Sequence, residues 1–126
     1  MIEGVAEQSL PEGMTVRIRA ALEVLLVGSA TVPEIARRLH IKRQFTQVMV
    51  NEAIESGFAV SVENPAHARS KLIELTEKGR EAIIAIRANE TEILGAIAKE
   101  LSDDDIAITK RVIDHLFNGF QQRAEQ

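Results

Sequence analysis

The stretch Thr31-Val32-Pro33-Glu34 constrains the chain more than any other, because each of its side chains favours the start of a helix. Thr31 offers a cap oxygen to the first turn, and Glu34 reaches back to complete a capping box. Pro33 sits in the first turn, where its missing N–H costs nothing. The helix that follows, 31–39, buries Ile35, Ala36 and Leu39 and exposes Arg37 and Arg38. A short turn at His40-Ile41 leads into a second helix, Lys42 to Ser56, terminated by Gly57. Two short helices joined by such a turn form a helix-turn-helix. The turn calls for a left-handed backbone at His40, a conformation in which His is enriched among non-glycine residues. Lys42 stands where Ser or Thr would cap the second helix. The lost cap costs about 1 kcal/mol, and a lysine there can reach a phosphate instead.

The second helix reads KRQFTQVMVNEAIES. Thr46, Met49, Val50 and Ala53 recur at helical spacing and form the expected buried stripe. Opposite it lie Arg43, Gln44, Gln47 and Asn51. Arginine pairs with guanine edges, and glutamine and asparagine pair with adenine edges. Four such residues near the start of a second helix are what a major-groove reader needs. The alternative is a solvated polar face, but acids enter this face only at Glu52 and Glu55. Phe45 fits either packing on a neighbouring helix or contact with a thymine methyl.

A hairpin follows. Phe58-Ala59-Val60-Ser61-Val62 and Leu72-Ile73-Glu74-Leu75 read as strands around a polar tip, Asn64 to Ser70. Most hairpin loops are about two to five residues long, so this one is extended. Placed after a recognition helix, it reads as a wing that crosses the phosphate backbone to a flanking minor groove, where arginine is favoured. Arg69 is the expected inserted side chain, with His67 and Lys71 as supports. An ion pair from Arg69 to Glu63 is the competing reading. The DNA-contact set is therefore Lys42, Arg43, Gln44, Thr46, Gln47, Asn51, His67, Arg69 and Lys71. Thr46 belongs both to this set and to the buried stripe.

Charge agrees in distribution more than in sum. The net charge is −4. Residues 31–71 hold six basic and four acidic side chains, whereas 72–126 hold seven basic and eleven acidic. The only basic third is the one that carries the helix-turn-helix. A local basic face can bind phosphate while an acidic remainder limits loose binding, although so small a bias also fits chance.

These residues resemble the winged helix-turn-helix of the multiple-antibiotic-resistance regulator (MarR) family. The resemblance rests on TVPEIARRLHIKRQFTQVMVNEAIESGFAV followed by NPAHARSKLIELTEKG, and it covers about residues 14–80. The nearest branch has Asn-Pro-x-His-x-Arg-Ser in the wing and Arg-Gln opening the recognition helix. The resemblance implies a homodimeric bacterial transcription regulator, usually a repressor, on a pseudo-palindromic operator. It assigns the major groove to Arg43, Gln44 and Gln47 and the minor groove to Arg69. The chain departs from the family at three points. About thirteen residues stand where the family has a long first dimerisation helix, a segment that helps to form its ligand pocket. His67-x-Arg69 replaces the common Asp-x-Arg. Lys42 replaces Ser or Thr. With no cysteine, the family's thiol-based peroxide sensing is excluded.

The remaining sequence gives helices. Thr15 to Val27 has Ile18, Ala21, Leu22, Leu25 and Leu26 on one face, with Gly28 as a left-handed terminator. Thr76 caps a helix reaching about Leu101, striped by Ile83, Ile86, Ile93 and Ile97. Ser102 with Asp103, Asp104 and Asp105 starts a last helix, Ile106 to about Gln121, carrying Val112, Ile113, Leu116, Phe117 and Phe120. These two apolar helices exceed what one small core needs, and packing on a second copy is the economical solution. The competing arrangement is a helical hairpin folded back on the winged domain.

The expected organisation is a disordered or short N-terminal arm over 1–13, a winged helix-turn-helix over 14–76 and a helical dimerisation region over 77–126. The fold class is mostly α with a small β-hairpin wing. No enzyme is expected: His40, His67 and His115 lie in different elements, and no nucleophile or Gly-rich phosphate loop is present. No cofactor or metal is expected. The N-terminus lacks a signal-peptide pattern and no apolar run spans a membrane, so a cytoplasmic protein is the simplest reading. The expected partners are double-stranded DNA and a second copy, with a small-molecule effector left open. The alternative function is a winged-helix module that binds another protein without reading DNA sequence.

Overall fold

The computed structural model describes residues 10–124, so the expected N-terminal arm lies outside the described residues as far as residue 9. Its described end is attached: Leu10 packs on the core and Met14 is buried. The elements run α1 (Val16–Val27), α2 (Val32–Leu39), α3 (Arg43–Glu55), β1 (Ala59–Val62), β2 (Leu72–Leu75), α4 (Glu77–Ile97) and α5 (Asp103–Ala124). The fold is thus mostly helical with one two-stranded antiparallel hairpin. By packing, the chain divides into two compact units, one ending at Asn89 and one beginning at Glu90.

Local chemistry explains most of the boundaries in the first unit. The Thr15 hydroxyl caps α1 by accepting the Ile18 amide at 3.1 Å. The capping box of α2 forms as expected. Thr31 Oγ1 accepts the Glu34 amide at 3.3 Å, and Glu34 Oε2 accepts the Thr31 amide at 3.4 Å. His40 is left-handed at φ 57°, ψ 42°. Its amide bonds Arg37 O, and the Ile41 amide bonds Ala36 O. That pair of bonds is a Schellman ending, which satisfies carbonyls that the helix cannot satisfy itself. α3 ends the same way around Gly57 at φ 82°, with the Gly57 amide on Ile54 O and the Phe58 amide on Ala53 O.

Gly28 departs from expectation. It is extended at φ 163°, ψ 166°, a conformation open to any residue. The reason lies in the next element. An extended exit carries Ala30 to Ile73, where the two backbones exchange hydrogen bonds of 3.2 and 2.8 Å. β2 is therefore held on both sides, by Ala30 and by β1. The β1–β2 register pairs Ala59 with Leu75 and Val62 with Leu72.

The core of this unit gathers one face from every element. Ile18, Leu22 and Leu25 of α1 meet Ile35 of α2, Val50 and Ala53 of α3, Phe58, Ile73 of β2, and Ile83 and Ile86 of α4. The first turns of α4 thus belong to the winged unit, which is why the division falls at 89/90 and not at 76/77.

The second unit is different. α4 becomes a 3-10 turn over Ala98–Glu100, earlier than the expected end near Leu101. α5 starts at Asp103, with Ser102 Oγ accepting the Asp105 amide at 3.0 Å, and runs past the expected end to Ala124. No residue of α5 is buried.

Phe58 is 1% exposed and lies where α3, β1 and α4 meet. Phe58→Ala is expected to destabilise the fold by about 3–5 kcal/mol, from lost transfer energy and the cavity left behind. Urea unfolding at fixed protein concentration measures this, and a loss below about 1 kcal/mol would mean that the site collapses around the deletion.

Candidate nucleic-acid interface

The exposed face of α3 carries Arg43, Gln44, Gln47 and Asn51, all solvent-accessible as the helical spacing requires. The opposite stripe is buried. Thr46 is 0% exposed, and its hydroxyl donates to Lys42 O at 3.1 Å. Thr46 therefore leaves the DNA-contact set. Its side chain points into the core, its one proton is committed to the preceding turn, and no base edge can reach it. Lys42 occupies the cap position of α3 with no side-chain cap bond, so its exposed ammonium remains available. Phe45 is 58% exposed and does not pack into the core.

Gln47 Nε2 donates to Asn51 Oδ1 at 3.0 Å. Sequence spacing alone places these two on one face. The structure adds that they are joined: one of the two Gln47 amide hydrogens is committed to Asn51, which fixes the orientation from which its other hydrogen and its oxygen could meet a base. Gln44 has no such partner among the described residues and offers both ends of its amide. Arg17 of α1 pairs with Glu52 at 3.0 Å, which ties the middle of α3 to the bundle beside the exposed face.

The tip of the hairpin is two turns in series. The His67 amide bonds Asn64 O at 3.1 Å, and the Ser70 amide bonds His67 O at 3.3 Å. Asn64 Oδ1 also accepts the Ala66 amide at 3.0 Å, while Pro65 sets the backbone of the first turn. Asn and Pro in these positions favour such a turn. His67 closes the first turn and opens the second, and this shared use explains the length of the tip. The second turn presents Arg69 outward. The cation that approaches Glu63 is Lys71, at 4.0 Å; Arg69 makes no ion pair among the described residues.

An open cleft of about 720 Å³ joins these parts. Val32 and Pro33 of α2 line it with the capping Thr31, α3 contributes Arg43, Gln44 and Gln47, and the wing contributes Arg69 and Lys71. Three cations line it and no carboxylate does. Lys42, Asn51 and His67, also expected at the site, lie outside its walls. Arg37 and Arg38 form a separate exposed pair on α2 next to Glu34. They went unassigned in the sequence, although their exposure was legible there. Among the described residues no group of three or more His, Asp or Glu could hold a metal, and no helix is long and apolar enough to cross a membrane.

A recognition helix, a preceding helix and a wing around one cationic cleft define a winged-helix DNA-binding protein. Comparison with known proteins carries this to a family. The model of the MarR family matches residues 13–70. A crystal structure of a MarR family transcription regulator is similar over 99% of this chain and 84% of that one, with 34% identity and a TM-score of 0.87. The chain belongs to the MarR family, whose members are DNA-binding transcription regulators without enzymatic activity. An uncharacterized protein of Mycobacterium tuberculosis is 40% identical over 75 residues, which is 60% of this chain. The chain spans about half the length of that relative, 52%. The fold also matches FabT of Streptococcus pneumoniae, solved in complex with DNA, at a TM-score of 0.76 and 15% identity over 86% of this chain and 77% of that one.

Thr46→Ala separates packing from contact. It is expected to lower the melting temperature while leaving the base preference of DNA binding unchanged. A changed preference in the folded variant would return Thr46 to the contact set.

Proposed function

We propose that the chain is a repressor that binds a pseudo-palindromic operator as a homodimer, in a branch of the family marked by its Asn-Pro-x-His-x-Arg-Ser wing. The observation that carries this reading is the cleft in which Arg43, Gln44 and Gln47 of α3 meet Arg69 and Lys71 of the wing with no acid among them. Such a surface suits a polyanion with two adjacent grooves. α3 enters the major groove, with Arg43 and Gln44 on base edges. Gln47 and Asn51 act as a bonded pair, either against one base edge or after exchanging their mutual bond for two bonds to bases. Arg69 enters the flanking minor groove, and His67, Lys71 and Lys42 neutralise phosphates.

The second unit supports the homodimer. Leu94, Ile97, Leu116, Phe117 and Phe120 are 66%, 69%, 54%, 53% and 74% exposed. On α5 the apolar positions 106, 113, 116, 117 and 120 fall on one side of the helix at helical spacing. Exposed apolar surface of this extent marks an interaction site. A two-fold partner covers it with the same surface and presents two recognition helices to half-sites about one DNA turn apart. A repressor then acts by occupying such a site.

Selection of random duplex DNA on the purified chain, followed by a salt titration, tests the whole reading. A two-fold site whose affinity falls steeply with salt is the expected result. A folded dimer that enriches no sequence would favour a protein-binding module instead.

The residue roles carry their own expectations. Arg69→Ala is expected to weaken operator binding, and Gln44→Ala or Gln47→Ala to cost about 1–3 kcal/mol and relax preference at one base pair. If all three variants keep wild-type affinity and preference, the assigned roles are wrong. Lys42→Ser is expected to raise stability by about 1 kcal/mol, by supplying the missing cap, while lowering DNA affinity and the salt slope. An unaltered salt slope would remove Lys42 from the phosphate contacts.

A further inference from the structure

The chain leaving α3 ends in three consecutive carbonyls, at Ser56, Gly57 and Phe58. All three are bound by one short segment at the start of α4. Lys78 Nζ donates to Ser56 O at 2.8 Å. Thr76 Oγ1 donates to Gly57 O at 2.6 Å. The Thr76 amide donates to Phe58 O at 3.1 Å. The Lys78 ammonium also stands 4.7 Å from the centre of the Phe58 ring, within cation–π range. Thr76 Oγ1 does double duty, because it accepts the Gly79 amide at 3.0 Å and so caps α4. The approach is close enough that a Cβ on Gly79 would overlap the Phe58 carbonyl.

None of these groups lies in the cleft, and none is needed to close the turn after α3, which the amides of Gly57 and Phe58 already close. Their common effect is to fix the far end of the recognition helix to the first turn of α4. A cation at the C-terminal end of a helix is favourable in its own right. Here it also sets direction.

We propose that Thr76 and Lys78 are positioning residues for DNA readout. They hold α3 at the angle from which its side chains meet base edges, and they contribute to sequence discrimination without touching a base. The inference rests on the reading of α3 as a major-groove reader. The physical ground is a difference in tolerance. Base-edge contacts need hydrogen-bond geometry, whereas phosphate attraction is long-ranged and survives a small tilt. Loosening the clasp therefore lowers specific affinity and spares non-specific affinity.

The test uses the full chain with two duplexes of equal length: the one recovered by selection and one of unrelated sequence. Lys78→Met keeps the apolar stem and removes the charge and the donor. Thr76→Val removes the hydroxyl, and Lys78→Arg and Thr76→Ser restore a donor in each place. Lys78→Met and Thr76→Val are expected to lose about tenfold in affinity for the selected duplex, the scale of one base contact, with the unrelated duplex nearly unchanged. The Arg and Ser variants are expected to recover most of that loss. Melting temperature and oligomeric state are measured alongside. Lys78 is exposed, so Lys78→Met decides the matter even if Thr76→Val does not fold. Equal losses on both duplexes with a shallower salt slope would make Lys78 a phosphate contact and overturn the proposal. An unchanged ratio of the two affinities in folded Lys78→Met would overturn it as well. If the wild-type chain selects no duplex, the function reading itself fails and the proposal with it, an outcome seen before any variant is made.

Discussion

Everything in the first unit is organised around the burial of Phe58. The ring fills the space where α3 ends, β1 begins and α4 starts, and it is 1% exposed. Its amide closes the Schellman ending of α3, and its carbonyl takes the Thr76 amide that begins α4. A single residue thus joins three elements by backbone as well as by side chain. The ring limits how far the exit of α3 can move relative to β1 and the first turn of α4, because interiors are close-packed, and the bonds from Thr76 and Lys78 act on the tilt that remains.

The same economy governs the wing. A two-stranded hairpin alone is marginally stable in water. Here β2 gains a second neighbour through the bridge between Ala30 and Ile73, and Ile73 is buried beneath it. Ser29 Oγ adds a bond to Glu74 at 3.1 Å. The anchored strands leave the paired turns of the tip as the free part, and these turns carry Arg69 to the mouth of the cleft. The rigid base and short-range turns together place an arginine several residues away from any core contact.

Sequence reading succeeded where a feature is local and failed where it depends on a distant partner. The capping box of Thr31 and Glu34, the left-handed His40, the Gly57 ending and the two faces of α3 are all decided within a few residues. Gly28 was misread because its conformation is set by where Ala30 must go, forty-odd positions away from the strand it meets. Thr46 illustrates a boundary problem. Its helical phase puts it in the buried stripe, while its type and neighbourhood suit a DNA contact, and burial to 0% exposure settles the choice. The bond between Gln47 and Asn51 was compatible with the spacing, yet spacing cannot say which donors are already spent.

The sequence by itself determined the helix-turn-helix, the existence of a wing, and the apolar excess of the last two helices, since caps, turns and hydrophobic periodicity act over one or two turns of chain. Only the tertiary structure decided that α3 and the wing share one acid-free cleft. It alone showed that the first turns of α4 are core of the winged unit. It alone brought Thr76 and Lys78 onto the carbonyls of Ser56 and Gly57. Each of these is a meeting of residues about twenty or more positions apart, and such meetings depend on how whole elements pack, which no local propensity encodes.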